Sequence, residues 1–190
     1  MVRSSWSFVA VSLTSVLLAT GCAPHVNVGN PRPNVDLPES QTSLTLAMDP
    51  AIPDAFKAPS GVRNDPSTDV KAWRTTLERG FQNSFGEAFK TGGKDLVLQL
   101  VEASLLVSPT AEVGSDGNAV GSEAQIRYKA RLVDAQGNVV RRSVGTVSSK
   151  PPVARNRDAT RIAESAVESM YEKIAEDLFY SPSPASSSAR

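Results

Sequence analysis

The chain has few of the side chains on which catalytic and metal sites depend. Its 190 residues include one cysteine, Cys22, and one histidine, His25. Because His25 lies in a linker only three residues past Cys22, we expect it to be solvated. Its position argues against catalysis by a Ser-His-Asp or a Cys-His arrangement.

The chain also lacks an excess of charge and a long apolar run. It has 20 Lys and Arg against 20 Asp and Glu, so no overall field attracts nucleic acid or a strongly acidic partner. The uncharged stretch from Trp6 to Leu18 is too short, and too rich in Ser and Thr, to be stable as a membrane-spanning helix. We expect no nucleic-acid partner.

The amino terminus does contain the pattern of a secretory signal. Arg3 precedes the apolar stretch, and small residues follow it. The sequence Leu-Leu-Ala-Thr-Gly-Cys ending at Cys22 resembles the lipobox of bacterial lipoproteins, although Ala19 stands where most members have leucine. The resemblance implies cleavage after residue 21 and acylation of Cys22, for example with palmitate. The alternative is an ordinary signal peptide with a chance cysteine.

The same resemblance predicts where the protein resides. Ala23 is not the aspartate that retains such lipoproteins at the inner membrane, so we expect the outer membrane of a Gram-negative bacterium. Within it, the periplasmic face is favoured over the cell surface. The covalent lipid on Cys22 would be the only attached group, because an acylated cysteine is unavailable for a disulfide or a metal.

Composition divides the chain into four parts. Residues 1–21 form the signal peptide, 22–41 the lipidated cysteine and a proline-rich tether, 42–180 one domain, and 181–190 a low-complexity tail expected to be disordered. The stretch from Ala23 to Gln41 has four prolines and almost no large apolar side chains. We expect it to be extended or mobile, with a reach of up to roughly 60 Å.

Hydrophobic periodicity predicts a strand, a helix, three antiparallel strands and a second helix within the domain. The predicted strands are residues 43–48, 95–107, 123–135 and 139–149, and the helices start near 67–69 and 158–160. Two amphipathic helices need one apolar sheet surface to cover. The sequence therefore predicts a two-layer α+β fold in the order β-α-β-β-β-α, with a four-stranded, mainly antiparallel sheet.

Two further stretches carry a resemblance to known envelope proteins. The tether from Pro33 to Pro38, the element order and the sequence from Ile162 to Val167 resemble the YajG-type outer-membrane lipoproteins. The element order is also similar to that of LptE, the lipoprotein partner of the lipopolysaccharide-inserting barrel. YajG-type proteins have no assigned catalytic residues, whereas likeness to LptE implies a barrel partner and contact with anionic lipid. The turn from Asp134 to Asn138 favours the YajG-type relation.

One group of side chains has the pattern of a binding surface. Arg127, Lys129 and Arg131 share the outward parity of one strand, and Arg141 or Arg142 lies across the hairpin. With Arg142 as the fourth member, such a face could bind lipid phosphates or the acidic rim of a protein. The alternative is a charged solvent face that keeps the sheet from aggregating.

The expected function is that of a non-enzymatic binding or accessory subunit of a cell-envelope complex. No carboxylate pair lies in a motif that implies a shared cleft, and the glycines between Gly114 and Gly121 lack the lysine of a phosphate loop. The expected partners are an envelope protein and the membrane, with anionic lipid as a further candidate. A carrier of a lipid or small ligand and an activator of cell-wall synthesis remain as alternatives.

Overall fold

The computed structural model describes residues 25–26, 29–59, 67–90, 92–111, 120–149 and 159–180. Cys22, the signal peptide and the tail lie outside these ranges. The strands are β1 His25–Val26, β2 Leu44–Met48, β3 Phe56–Ala58, β4 Thr68–Val70, β5 Leu96–Ala111, β6 Val120–Asp134 and β7 Val139–Ser148. The helices are α1 Trp73–Phe85 and α2 Ala159–Ala175, the latter continued by a π-helical turn, Glu176–Tyr180.

The predicted α+β fold is confirmed. The main sheet has the strand order β2-β5-β6-β7, and its last three strands form an antiparallel meander. Strand β2 is parallel to β5 because helix α1 connects them, which returns the chain in the same direction. Gly137, with a φ of 87°, completes the predicted turn between β6 and β7.

Both helices pack on one face of the main sheet and leave the other face open. Helix α2 lies against β6 and β7, and α1 lies beside it next to β2. The predicted alternation along β6 is confirmed: Ile126, Tyr128, Ala130 and Leu132 are buried, whereas Arg127, Lys129 and Arg131 are exposed. The open face is therefore where the predicted basic side chains lie.

The two helices meet through aromatic side chains. The ring of Phe85 has its centroid 5.4 Å from that of Phe81, 6.1 Å from Tyr171 and 5.6 Å from Phe179. A Cβ atom on Gly80 would lie 2.7 Å from the Tyr171 ring, so this glycine permits close approach of the two helices. The neighbours of Gly80 are thus side chains of helix α2.

The segment before α1 contains two unexpected strands, β3 within an expected loop and β4 where the first helix was expected to start. Strands β3 and β4 join β1 in a small three-stranded sheet of order β1-β4-β3. Thr68 and Val70 are both buried and Asp69 between them is not, which is the alternation of a strand. Helix α1 therefore begins only at Trp73. Ala72, in the left-handed region at φ 52°, makes the break. The helix also ends earlier than predicted, at Phe85 rather than near Gly92.

The segment expected to be a mobile tether is instead bound to the domain from Gly29 onward. Its backbone N–H groups donate to a row of glutamates on α2: Asn30 to Glu164 at 2.7 Å, Arg32 to Glu168 at 2.8 Å and Asn34 to Glu172 at 3.0 Å. The spacing explains the match, because two residues of an extended chain advance about 6.2 Å and four residues of a helix about 6.0 Å. These glutamates, expected to be solvated, form what we call the glutamate row.

Helix α1 and the core hold the other side of this segment. The Asn83 amide donates to the Pro31 carbonyl at 2.6 Å, and the Arg79 guanidinium donates to the Gly29 carbonyl at 3.3 Å. Val35 and Leu37 pack against the hydrophobic core. Residues 29–41 thus lie along the helical layer. Only a few apolar residues, such as Val35 and Leu37, anchor them to the core.

The β5–β6 hairpin is longer than its sequence suggested. A flexible loop was expected over 108–122, whereas β5 continues to Ala111 and β6 begins at Val120. The pairing of Ala111 with Val120 closes the described part of this hairpin. None of the described helices is long and apolar enough to cross a membrane.

Candidate binding face and groove

The open face of the sheet carries the four predicted basic side chains together. Arg131 and Arg142 are direct cross-strand partners on β6 and β7, and Lys129 and Arg127 follow along β6. The structure also decides between the two arginines of β7. Arg141 turns to the helical side, where its guanidinium donates to the Leu178 carbonyl at 3.1 Å. Arg142 therefore belongs to the basic face and Arg141 does not.

Two of the four basic groups are already paired with an acid that the sequence analysis did not identify. Glu102 on β5 lies 2.7 Å from the Lys129 ammonium and 3.4 Å from the Arg127 guanidinium. The hydrogen bond from Lys129, and then the charges of Lys129 and Arg127, hold the pKa of Glu102 below its ordinary value. One carboxylate thus offsets one of the two positive charges in this half of the face.

A β-bulge brings Glu102 to this position. The register of β5 against β6 shifts between Leu100 and Glu102. Upstream, the buried side chains are even-numbered, as at Leu98 and Leu100; downstream they are odd-numbered, as at Ala103 and Leu105. The same change of parity is visible in the sequence, so the bulge and the outward Glu102 could have been predicted from it.

Arg131 and Arg142 form the part of the face whose charge is not compensated. Neither side chain makes a hydrogen bond or an ion pair with any described residue, although the two residues are opposite each other in the sheet. Two like charges in directly opposed positions destabilise a sheet slightly. A bound carboxylate or phosphate would relieve that repulsion, and guanidinium groups bind such anions through paired hydrogen bonds. We call these two residues the arginine pair.

Apolar side chains adjoin the arginine pair. Val144 and Val140 on β7 are 62% and 53% exposed, the most exposed large aliphatic side chains of the described residues. They lie on the outermost strand of the sheet, β7. A surface that combines aliphatic side chains with uncompensated arginines is typical of a protein interface rather than of a purely solvated face.

Apart from the basic face, the structure has a groove between α1 and β2. Its volume is about 670 Å³. Apolar side chains from both elements line it, including Leu44, Leu46, Met48, Phe81 and Phe89, with Arg74, Glu78, Arg79 and Gln82 at the rim. Arg74 is occupied by the carbonyls of Asp49 and Ile52, at 3.0 and 2.9 Å. The groove is thus mainly an apolar space.

A buried hydroxyl lies next to an acid between β7 and the carboxyl-terminal helix. Ser143 donates to the Asp177 carboxylate at 2.6 Å and lies 3.2 Å from the Tyr128 hydroxyl. Burial, the largest effect, raises the pKa of Tyr128. With Ser143 only 2% exposed, this group joins β7 to the end of α2 and cannot reach a substrate. Within the described ranges, no three His, Cys, Asp or Glu side chains gather in a way that could hold a metal ion.

Comparisons with known proteins found only loose likenesses. No family model and no curated protein matches the chain. A Xanthomonas campestris protein of the family DUF330 is 13% identical with a TM-score of 0.46, over 82% of this chain and 92% of that one. The minor lipoprotein of Acinetobacter baumannii is 12% identical with a TM-score of 0.41, over 73% and 91%.

A third solved structure, rare lipoprotein B from Shewanella oneidensis, is 18% identical with a TM-score of 0.26, over 70% of this chain and 88% of that one. At these identities and TM-scores the likenesses are too loose to assign a family or a function to the chain. The relation to YajG-type proteins and the LptE-like element order remain predictions from the sequence.

Proposed function

We propose that this chain is a non-enzymatic lipoprotein, anchored to the outer membrane through Cys22, that serves as a binding subunit of a cell-envelope complex. The observation that carries the binding role is the arginine pair, two opposed guanidinium groups that have no ion-pair partner among the described residues. The anchor rests on the lipobox-like sequence before Cys22.

The chemistry of the face indicates what it binds. The arginine pair would receive a carboxylate or phosphate, and Val140 and Val144 would pack against apolar surface beside that anion. An acidic rim of a folded protein offers both at once. We therefore place an envelope protein with acidic side chains on this face.

The anchor has a direct test. Replacing Cys22→Ser removes the thiol to which lipid would be attached, and a protein without acyl chains loses the burial of about 0.8 kcal/mol per methylene that holds it in the bilayer. We expect a fatty-acid analogue to label the wild-type protein and not the variant, and the variant to accumulate as an unprocessed precursor or in the soluble fraction. Equal labelling of the two proteins would contradict the anchor.

The binding face is tested by reversing the charges of Arg131→Glu with Arg142→Glu. This double variant changes the local charge by four units at exposed positions, so we expect loss of the co-purifying envelope protein with little change in thermal stability. Arg127 is a poorer choice, because Glu102 already pairs with it at 3.4 Å. The measurement is affinity purification of the lipidated protein from membranes, with identification of the bound proteins.

A matched control separates the arginine pair from overall charge. Lys90→Glu with Lys94→Glu makes the same change of charge on the exposed segment before β5, and we expect it to keep the partner. Binding by the wild type should weaken between low and physiological salt, since exposed charges are screened over about 8–10 Å. A partner that persists in the arginine double variant would make the face a solvated surface.

The groove between α1 and β2 favours a second candidate, a carrier of a lipid or small apolar ligand. Its volume of about 670 Å³ and its apolar lining could receive an acyl chain. The two candidates differ in what accompanies the purified protein. Lipid retained after removal of detergent, without a protein partner, would favour the carrier; a stable protein complex would favour the binding subunit.

A further inference from the structure

The path of the bound tether determines which end of the domain is close to the membrane. The chain is already part of the small sheet at β1, where His25 pairs with Asp69 and Val26 is 1% exposed. The Lys71 N–H donates to the Val26 carbonyl at 3.0 Å. Only Ala23 and Pro24 separate this strand from Cys22. Even fully extended, the three steps from Cys22 to His25 span only about 10 Å.

The direction in which the chain leaves β1 follows from the strand pairings. Strand β1 is parallel to β4, and β4 is antiparallel to β3. The amino-terminal end of β1 therefore lies at the same end of the small sheet as the carboxyl-terminal end of β3. Strand β3 runs in the same direction as β5. Before β3, the Asp54 carbonyl accepts from the N–H of Trp73, whose indole donates to the Ala103 carbonyl on β5. After β3, the Pro59 carbonyl accepts from the N–H of Val107. The amino-terminal end of β1, the end nearer to Cys22 in the chain, therefore faces the closed end of the β5–β6 hairpin.

The hairpin extends farther in this direction than the anchor allows. Beyond Val107, which lies beside Pro59, strand β5 continues through four more residues to Ala111. At about 3.4 Å per residue these four residues add roughly 14 Å. A lipid on Cys22, held within about 10 Å of β1, therefore keeps this end of the domain, and with it the hairpin end, near the bilayer.

We propose that the closed end of the β5–β6 hairpin, residues 107–111 and 120–123, faces and contacts the lipid surface. The inference rests on the proposed lipidation of Cys22. No Lys or Arg occurs between residues 107 and 123, so the short connection to the anchor, rather than charge, brings this end to the membrane. The stretch carries three acids, Glu112, Asp116 and Glu123, so added salt screens their repulsion from anionic headgroups and does not weaken the contact.

This orientation also bears on what the arginine pair can bind. Arg131 is opposite Gln99 on β5, eight residues before Val107. At about 3.4 Å per residue, the arginine pair lies roughly 27 Å farther from the membrane than Val107 does. Exposed charges act over only about 8–10 Å at physiological salt. The pair is out of reach of the headgroups of its own membrane, which leaves an acidic protein as its anion.

The test uses the single cysteine of the chain. In the lipidated protein Cys22 is acylated, so a thiol introduced by Ser122→Cys near the hairpin end, or by Gln136→Cys in the turn at the opposite end, is the one site that a maleimide fluorophore can label. The labelled proteins are placed in vesicles of phosphatidylethanolamine and phosphatidylglycerol that contain a lipid with a nitroxide headgroup. We expect several-fold stronger quenching at position 122 than at 136, with no weakening when salt is added.

A lengthened tether is the matched control. Inserting twelve Gly and Ser residues between Ala23 and Pro24 keeps β1 and the hairpin but frees the domain from the bilayer, so the difference between positions 122 and 136 should largely disappear. Equal quenching at the two positions with the native tether, or stronger quenching at 136, would overturn the orientation. Fatty-acid labelling of the same samples distinguishes that outcome from a failure of the anchor itself.

Discussion

Phe85→Ala is expected to lower the free energy of unfolding by about 3–5 kcal/mol, the usual cost of truncating a buried aromatic side chain. Phe85 is 1% exposed and its ring contacts those of Phe81, Phe89, Tyr171 and Phe179. It joins α1 to both segments of the carboxyl-terminal helix. Because a domain of this size is stable by only about 5–15 kcal/mol, the loss is a large part of the total.

Chemical denaturation monitored by circular dichroism measures this effect. Glu87→Ala is the control, because Glu87 is exposed, two residues beyond Phe85, and its side chain makes no hydrogen bond or ion pair with a described residue. We expect the control to unfold at the same denaturant concentration as the wild type. A Phe85 variant as stable as the control would mean that the two helices do not pack through this ring.

The aromatic cluster could be predicted from sequence because its period is local. Trp73, Leu77, Phe81 and Phe85 recur every three or four residues, and all are buried in α1. The ends of that helix could not be predicted in the same way. Val70 continues the apolar stripe but belongs to β4, where pairing with β3 outweighs helical propensity. Strand pairing between distant segments leaves no periodic signal in either one.

The basic face was predicted only in part, for a related reason. Alternation along β6 was enough to place Arg127, Lys129 and Arg131 outward. Choosing between Arg141 and Arg142 required the register of β7, which a bulge between Leu132 and Val133 alters. The neutralising role of Glu102 depended on a second bulge in β5. Each bulge shifts the outward-facing positions by one residue. Alternation in the sequence alone therefore cannot predict which side chains face outward beyond a bulge.

The bound tether was missed because its main contacts are made by backbone groups. The N–H groups of Asn30, Arg32 and Asn34 would be donors whatever side chains they carried. Composition shows only four prolines and few apolar residues, which also describes a mobile linker. The informative signal was on the partner: Glu164, Glu168 and Glu172 recur every fourth residue, a row of acceptors one helical turn apart.

Replacing that row, Glu164→Ala with Glu168→Ala and Glu172→Ala, is expected to release the tether while leaving the helix intact. Alanine favours helix at least as well as glutamate, so α2 should keep its length and its packing on the sheet. Each lost bond joined a backbone N–H to a carboxylate, and bonds to charged groups contribute about 1.5–3 kcal/mol, with exposed ones at the low end. We therefore expect the amides of Asn30, Arg32 and Asn34 to exchange hydrogen roughly ten-fold faster or more.

Amide hydrogen exchange followed by NMR measures this release residue by residue, and the amides of β6 serve as an internal reference that should not change. The glutamine triple, Glu164→Gln with Glu168→Gln and Glu172→Gln, keeps the acceptor oxygens without their charge, so its exchange should fall between wild type and the alanine triple. If the three amides already exchange freely in the wild type, the tether is not bound to the glutamate row. In that case the pairing of β1 with β4 would still hold the chain beside Cys22 to the domain.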